Sequence, residues 1–144
     1  MFKKLLVATD GSELSLKAID TAVGLARSLG ASLVGVTAVD AYPYVGIGQM
    51  EPAAYSEFQA IASAQAQGRL AAVEQAARVA GVPCHTVSRQ GLSPARAIVD
   101  AAGEQGCDAI VMASHGRRGV GALLLGSETQ HVLAEASVPV IVVR

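Results

Sequence analysis

The sequence lacks an excess of charge of either sign. Lys and Arg number 11 against 12 Asp and Glu, a formal net charge of −1 over 144 residues. That leaves no basic footprint for nucleic acid and no field to steer an acidic partner. The basic residues are scattered, and Arg117-Arg118 is the only adjacent pair past Lys3-Lys4. Cysteine is scarce too. Cys84 and Cys107 stand far apart, so they form neither a CxxC pair nor a metal-ligand spacing. Both read as small apolar fillers in a reducing compartment. Long apolar runs are absent. The N-terminal run, Leu5 to Ala8, is too short for a signal peptide and Asp10 ends it. No run approaches the roughly 18 residues a membrane-spanning helix needs. The expectation is a cytoplasmic protein with no membrane and no nucleic-acid partner.

What is present is apolar substance. Hydrophobic residues make up 51% and charged residues 16%, which argues for a packed core and against disorder. The length fits one domain over residues 1–144.

Leu5-Leu6-Val7-Ala8 reads as a strand buried on both faces, broken by Thr9-Asp10-Gly11-Ser12. Leu14, Ala18, Ala22, Leu25, Ala26 and Leu29 stripe a helix that Gly30 closes. Residues 32–39 form a second strand. Residues 40–52, with Pro43, Gly46, Gly48 and Pro52, form a long loop, a kind that is usually functional or mobile. Residues 53–80 read as a long helix with Leu70, Val73, Ala77 and Ala80 inward and a kink or fray at Gly68. Residues 82–89 form a third strand, less apolar and therefore nearer an edge. Ser93-Pro94 opens a short helix striped by Ala95, Ile98, Val99 and Ala102. A strand over 108–113, a glycine-rich stretch over 114–126, a helix over 127–136 and a strand over 138–143 complete the chain.

The order βαβαβαβαβ predicts an α/β fold, a single doubly wound, mainly parallel five-stranded sheet with helices on both faces. Ligands of such sheets sit beyond the carboxyl ends of the strands, where strand order reverses. The informative segment there is Ala113-Ser114-His115-Gly116, nine residues, then Gly126-Ser127. Phosphate binding needs backbone N–H groups turned inward and a helix N-terminus aimed at the anion. Gly126 permits close approach and Ser127 adds a hydroxyl at the helix start. A second reading needs no ligand: Ser127-x-x-Gln130 is also a capping box.

Gly-x-x-Gly, nine residues, Gly-Ser/Thr is the nucleotide motif of ATP-binding universal stress proteins, and the whole chain resembles that family. The likeness begins at Leu6-Val-Ala-Thr-Asp-Gly-Ser12, includes Ala97-Ile-Val-Asp-Ala-Ala102 and ends at Ser137-Val-Pro-Val-Ile-Val-Val143. Ala113 replaces the motif's first glycine. The resemblance implies the adenine nucleotide alpha hydrolase-like fold and ATP, with or without magnesium, as ligand. It implies Ala8, Thr9 and Asp10 beside the adenosine, and the Ala38 backbone at the adenine edge. Met112 and Ala113 would flank ribose and phosphates. Gly116, Arg117, Gly126, Ser127 and Glu128 would surround the phosphates, with Thr129 close by. It also implies a homodimer through strand 138–143, whose backbone would invite another strand if it lies at a sheet edge.

Plainer readings stand beside these. Asp10 serves as a turn residue, Ala38 and Met112 as core, and Arg117 as a solvated arginine. His115 has no Asp or Ser partner fixed by spacing, so acid–base catalysis has weak support. Residues 112–116 imitate a nucleophile elbow without its first glycine, and no Walker A pattern occurs. The function expected is a nucleotide-binding stress sensor or regulatory module. The alternatives are a slow ATPase or phosphotransferase in the same pocket, and an interaction module without nucleotide.

Overall fold

A computed structural model describes residues 1–41, 52–116 and 124–144. Along the chain these form β1 (Lys4–Ala8), α1 (Glu13–Leu29), β2 (Ser32–Asp40), α2 (Pro52–Ala80), β3 (Cys84–Gly91), α3 (Pro94–Glu104), β4 (Ala109–Ala113), α4 (Ser127–Glu135) and β5 (Val140–Val143). The strands make one parallel sheet in the order β3-β2-β1-β4-β5. The chain winds outward from β1 to β3, then crosses back through α3 to β4. The strand order therefore reverses between β1 and β4, where Leu5, Leu6 and Val7 pair with Ala109, Ile110 and Val111.

Alternation along the strands divides the core between two faces. Leu5, Val7, Leu33, Ala109 and Val111 meet α1 and α2 on one face. Leu6, Ala8, Val34, Val36, Ile110 and Met112 meet α3 and α4 on the other. The central strand β1 is buried from Leu5 to Ala8, the pattern of a strand covered on both sides. Helix α1 starts at the cap Ser12, whose hydroxyl accepts from the Ser15 N–H. It stops at Gly30, where φ is 64° and the chain turns left-handed.

The details depart from the periodicity in several places. The inward face of α1 is Ala18, Ile19, Ala22, Val23 and Ala26, while Leu29 is 47% exposed. The expected stripe is thus rotated, because two β-branched residues occupy the side turned to the sheet. In α3, Ala101 is buried and Val99 only partly so. Strand β3 begins at Cys84 and β5 at Val140, each two residues later than expected. Pro139 lies just before β5, where its carbonyl accepts from the Ile110 N–H at 2.9 Å. Helix α2 starts at Pro52 and is continuous through Gly68, which does not fray it. The remainder of the expected loop, residues 42–51, lies outside the described residues. No helix among the described residues is long and apolar enough to cross a membrane.

Cys107 is buried where α3 gives way to β4. Burial pushes its thiol up to about 11 from 9.0; Asp108 adds to this and Lys4 opposes it. Cys84 is raised as well, by burial and then by the charge of Glu74. Above pH 9 the unfolded chain loses the Cys107 proton before the folded one does. Stability from this group is therefore full below pH 9 and is lost as pH rises to about 11. The slope is at most about 1.4 kcal/mol per pH unit for one proton. Iodoacetamide at pH 8 is expected to label Cys107 far more slowly in the folded protein than in urea. Equal rates, read by mass spectrometry, would contradict its burial.

Candidate functional site

The crevice is built first from the end of β1. Thr9 is buried, and its N–H donates to the Val36 carbonyl at 3.0 Å. The Thr9 carbonyl accepts from the Thr37 hydroxyl at 2.7 Å. The Thr9 hydroxyl lies 3.1 Å from that of Ser15 and accepts from the Gly11 N–H at 3.2 Å. These bonds tie the turn to β2 and to α1. Asp10 then accepts from the Ser12 N–H through Oδ1 at 3.0 Å, a side-chain-closed turn. Gly11 within that turn has φ 83°, a left-handed conformation that glycine adopts without strain.

The second wall is the end of β4. The Ser114 N–H donates to Val143 at 2.7 Å, which anchors the strand end to β5. Gly116 faces Asp10: a Cβ at Gly116 would overlap the Asp10 carboxylate Oδ2. The two loops thus meet across the β1/β4 switch point, with Gly116 against the Asp10 carboxylate.

Helix α4 returns to the same place. The Gly126 N–H donates to the Ser114 carbonyl at 2.8 Å. The Thr129 hydroxyl is buried and donates to the carbonyls of Ala113 and Ser114, each at 3.0 Å. Gly126 is the N-cap and makes no side-chain cap bond. The expected capping box is not built. Ser127 is the first helical residue, and the Gln130 amide donates to the Leu125 carbonyl at 2.8 Å. The first-turn N–H groups of Ser127, Glu128 and Thr129 have no intrahelical acceptor by helix geometry, and the macrodipole adds roughly half a positive charge there. His115 Nδ1 lies 3.2 Å from the Ser114 hydroxyl, a partner that spacing alone did not supply. No cluster of His, Cys, Asp or Glu among the described residues could hold a metal ion.

A model of the universal stress protein family matches residues 1–144. The chain belongs to the universal stress protein family. A universal stress protein of Methanocaldococcus jannaschii is 34% identical over 146 residues, covering all of this chain and 83% of that one. The universal stress protein UspA of Lactobacillus plantarum superposes with a TM-score of 0.83 at 26% identity, covering 99% of this chain and 98% of that one. A universal stress protein solved in complex with cAMP superposes with a TM-score of 0.74 at 25% identity, covering 99% and 97%.

In this universal stress protein the residues singled out by sequence divide by what their side chains do. Ala8 and Met112 point into the α3/α4 core, and Ala113 into the α1/α2 core. Their backbones, not their side chains, border the crevice. The Glu128 carboxylate accepts from the Ala95 N–H at 2.8 Å and so helps cap α3, together with Ser93. That bond commits the carboxylate to the N-terminus of α3. Arg117 lies outside the described residues. Sequence reasoning missed Arg69, whose Nη1 donates to the Ala38 carbonyl at 3.2 Å. A signal was available: Ala66, Arg69, Leu70 and Val73 follow the i, i+3, i+4, i+7 stripe, so a charged residue stands beside an inward face.

Proposed function

We propose that this universal stress protein holds an adenine nucleotide, ATP in the first instance, and acts as a sensor or regulatory module of the stress response. The observation that carries the reading is the N-terminus of α4. It has no side-chain cap, and it is held by Gly126 and Thr129 against the β4 end beside the Gly116–Asp10 approach. A phosphate chain fits such a place because helix N–H groups and small residues receive it without a basic cluster. The similar protein solved with cAMP supports an adenine ligand.

On this reading Ala8, Thr9 and Asp10 lie along the adenosine, the Ala38 backbone meets the adenine edge, and Met112 and Ala113 flank the ribose. Gly116, Gly126 and Ser127 face the phosphates, with Arg117 as a further cation and Thr129 and Glu128 as supports. Magnesium accompanies ATP from solution. Backbone N–H groups and a hydroxyl bind ground state and transition state about equally, which favours holding ATP over hydrolysing it. Strand β5 ends the sheet and is half-buried along Val140–Val143, which supports pairing with a second copy.

Isothermal titration of ligand-free protein with ATP and magnesium tests the reading. Saturable heat is expected with a dissociation constant below about 1 mM, equivalent to more than about 4 kcal/mol. Folded protein that shows no binding at millimolar ATP overturns it.

A further inference from the structure

His115 stands between the two walls of the crevice. Its neighbour Gly116 abuts the Asp10 carboxylate. Its own Cα and Cβ lie 3.2 and 3.4 Å from the point where a Cβ on Gly126 would stand. The side chain therefore leaves the main chain beside the N-cap of α4. Its anchor is well fastened. Ser114 is buried, its N–H donates to the Val143 carbonyl, and its own carbonyl accepts from Gly126 and Thr129. The Ser114 hydroxyl lies 3.2 Å from His115 Nδ1, and Nε2 has no hydrogen-bond partner among the described residues. The residue is half-buried, tethered at one ring nitrogen and available at the other.

A hydroxyl partner suits both charge states of an imidazole. It donates to Nδ1 of the neutral ring, whose proton then sits on Nε2, and it accepts from the Nδ1–H of the charged ring. Nε2–H is a donor in both states, and in the second it belongs to a cation. The complement of such a group beside a helix N-terminus is an anion. We infer that His115 is a phosphate-binding residue of this site, its Nε2–H bonding the phosphate chain that α4 receives, and that this bond ties nucleotide affinity to pH. The inference rests on the nucleotide reading above and adds its regulation. A bound anion favours the charged ring, so binding takes up a proton and tightens as pH falls. The elements around His115 carry other charged groups. Asp10 and Glu128 are committed to the Ser12 and Ala95 N–H groups, and Arg69 bonds the Ala38 carbonyl. Glu13 of α1, His131 of α4 and Arg144 after β5 are exposed. Of these side-chain types only histidine ordinarily changes charge between pH 6 and 8, which makes His131 the control.

Wild type, His115→Gln and His131→Gln are titrated at pH 6 and pH 8 with ATP and magnesium, with inorganic tripolyphosphate, and with adenosine, which has no phosphate. The terminal phosphate also titrates in this range, so proteins are compared at the same pH, where its contribution is shared. Glutamine keeps a donor but never gains a charge. His115→Gln is expected to bind ATP and tripolyphosphate within about twofold of wild type at pH 8 and about fivefold more weakly at pH 6, the difference between a neutral and a charge-assisted bond. Adenosine should bind both proteins alike, and His131→Gln should follow wild type. A second measurement serves if His115→Gln does not fold. The chain has three histidines, so His85→Gln and His131→Gln assign the His115 ring proton resonance by elimination. Its titration midpoint in wild type should rise by about 0.7 of a pH unit when tripolyphosphate is added, the same fivefold. An equal ratio at both pH values, a midpoint that does not move, or a pH dependence lost with His131 overturns the role of His115 and leaves the site standing. Wild type that binds neither ATP nor tripolyphosphate at either pH overturns the site and this inference together.

Discussion

Gly126→Val is expected to weaken ATP binding at least about tenfold, or roughly 1.4 kcal/mol. The reason is space and not backbone freedom. Gly126 has φ −61° and ψ 154°, a conformation open to any residue. A Cβ there, however, would stand 3.2 Å from the His115 Cα and 3.4 Å from the Ser114 carbonyl oxygen. Those atoms are backbone and cannot swing aside as a side-chain tip would. Added methyl groups push the first turn of α4 off the β4 end and strain the Gly126–Ser114 bond. The N–H groups of Ser127 and its neighbours then lose their alignment with the phosphates. Tripolyphosphate should lose affinity in parallel with ATP, because the damage is at the phosphate end. Titration with both ligands, beside circular dichroism to confirm folding, checks this. Unchanged ATP affinity in a folded variant would place the phosphates elsewhere.

The architecture was legible because it rests on local patterns. The continuous apolar run Leu5–Ala8 announced a strand covered on both faces, and the weaker pattern over residues 82–89 announced an edge. The order of elements pointed to the carboxyl ends of the strands, but only the strand order of the sheet shows the β1/β4 reversal that brings Asp10 and Gly116 together. Long-range partners of polar side chains were not legible. Glu128 sat in the expected phosphate segment, yet its carboxylate accepts from Ala95, a residue 33 positions away. Nothing in either local sequence marks that pairing. Ser127 and Gln130 carried a capping signature, but the helix takes Gly126 as its cap because the Gly126 N–H and Thr129 hydroxyl already fasten that turn to Ser114. Tertiary bonds overrode a local preference. Arg69 was hidden for a different reason: an arginine next to an apolar stripe has a long stem, and only the neighbouring turn at Gly11 decides where its head goes.

The same helix carries the second large effect. Gly35→Val is expected to destabilise the fold by about 3 kcal/mol, the upper end of the usual cost of overpacking. Gly35 lies inside β2, directly beneath Val73 of α2. A Cβ at Gly35 would sit 2.9 Å from Val73 Cγ1 and 3.1 Å from Thr86 Cγ2. Val73 is fully buried and has no room to retreat, while Thr86, which pairs with Gly35 in register on the edge strand β3, is partly exposed and can give more easily. Removing a glycine from a strand also stiffens the unfolded chain, a gain of about 0.4–1 kcal/mol. The clash exceeds that gain, so the net sign is destabilising. At roughly 2–4 °C per kcal/mol for a chain near this size, the melting temperature should fall by about 10 °C. A smaller cycle isolates the cause. Gly35→Ala should cost about 1–3 kcal/mol and Val73→Ala its own cavity penalty, but the double variant should lose less than the sum by about 0.5 kcal/mol or more. Urea denaturation of the four proteins measures this, and strict additivity would show that Val73 does not set the limit at Gly35.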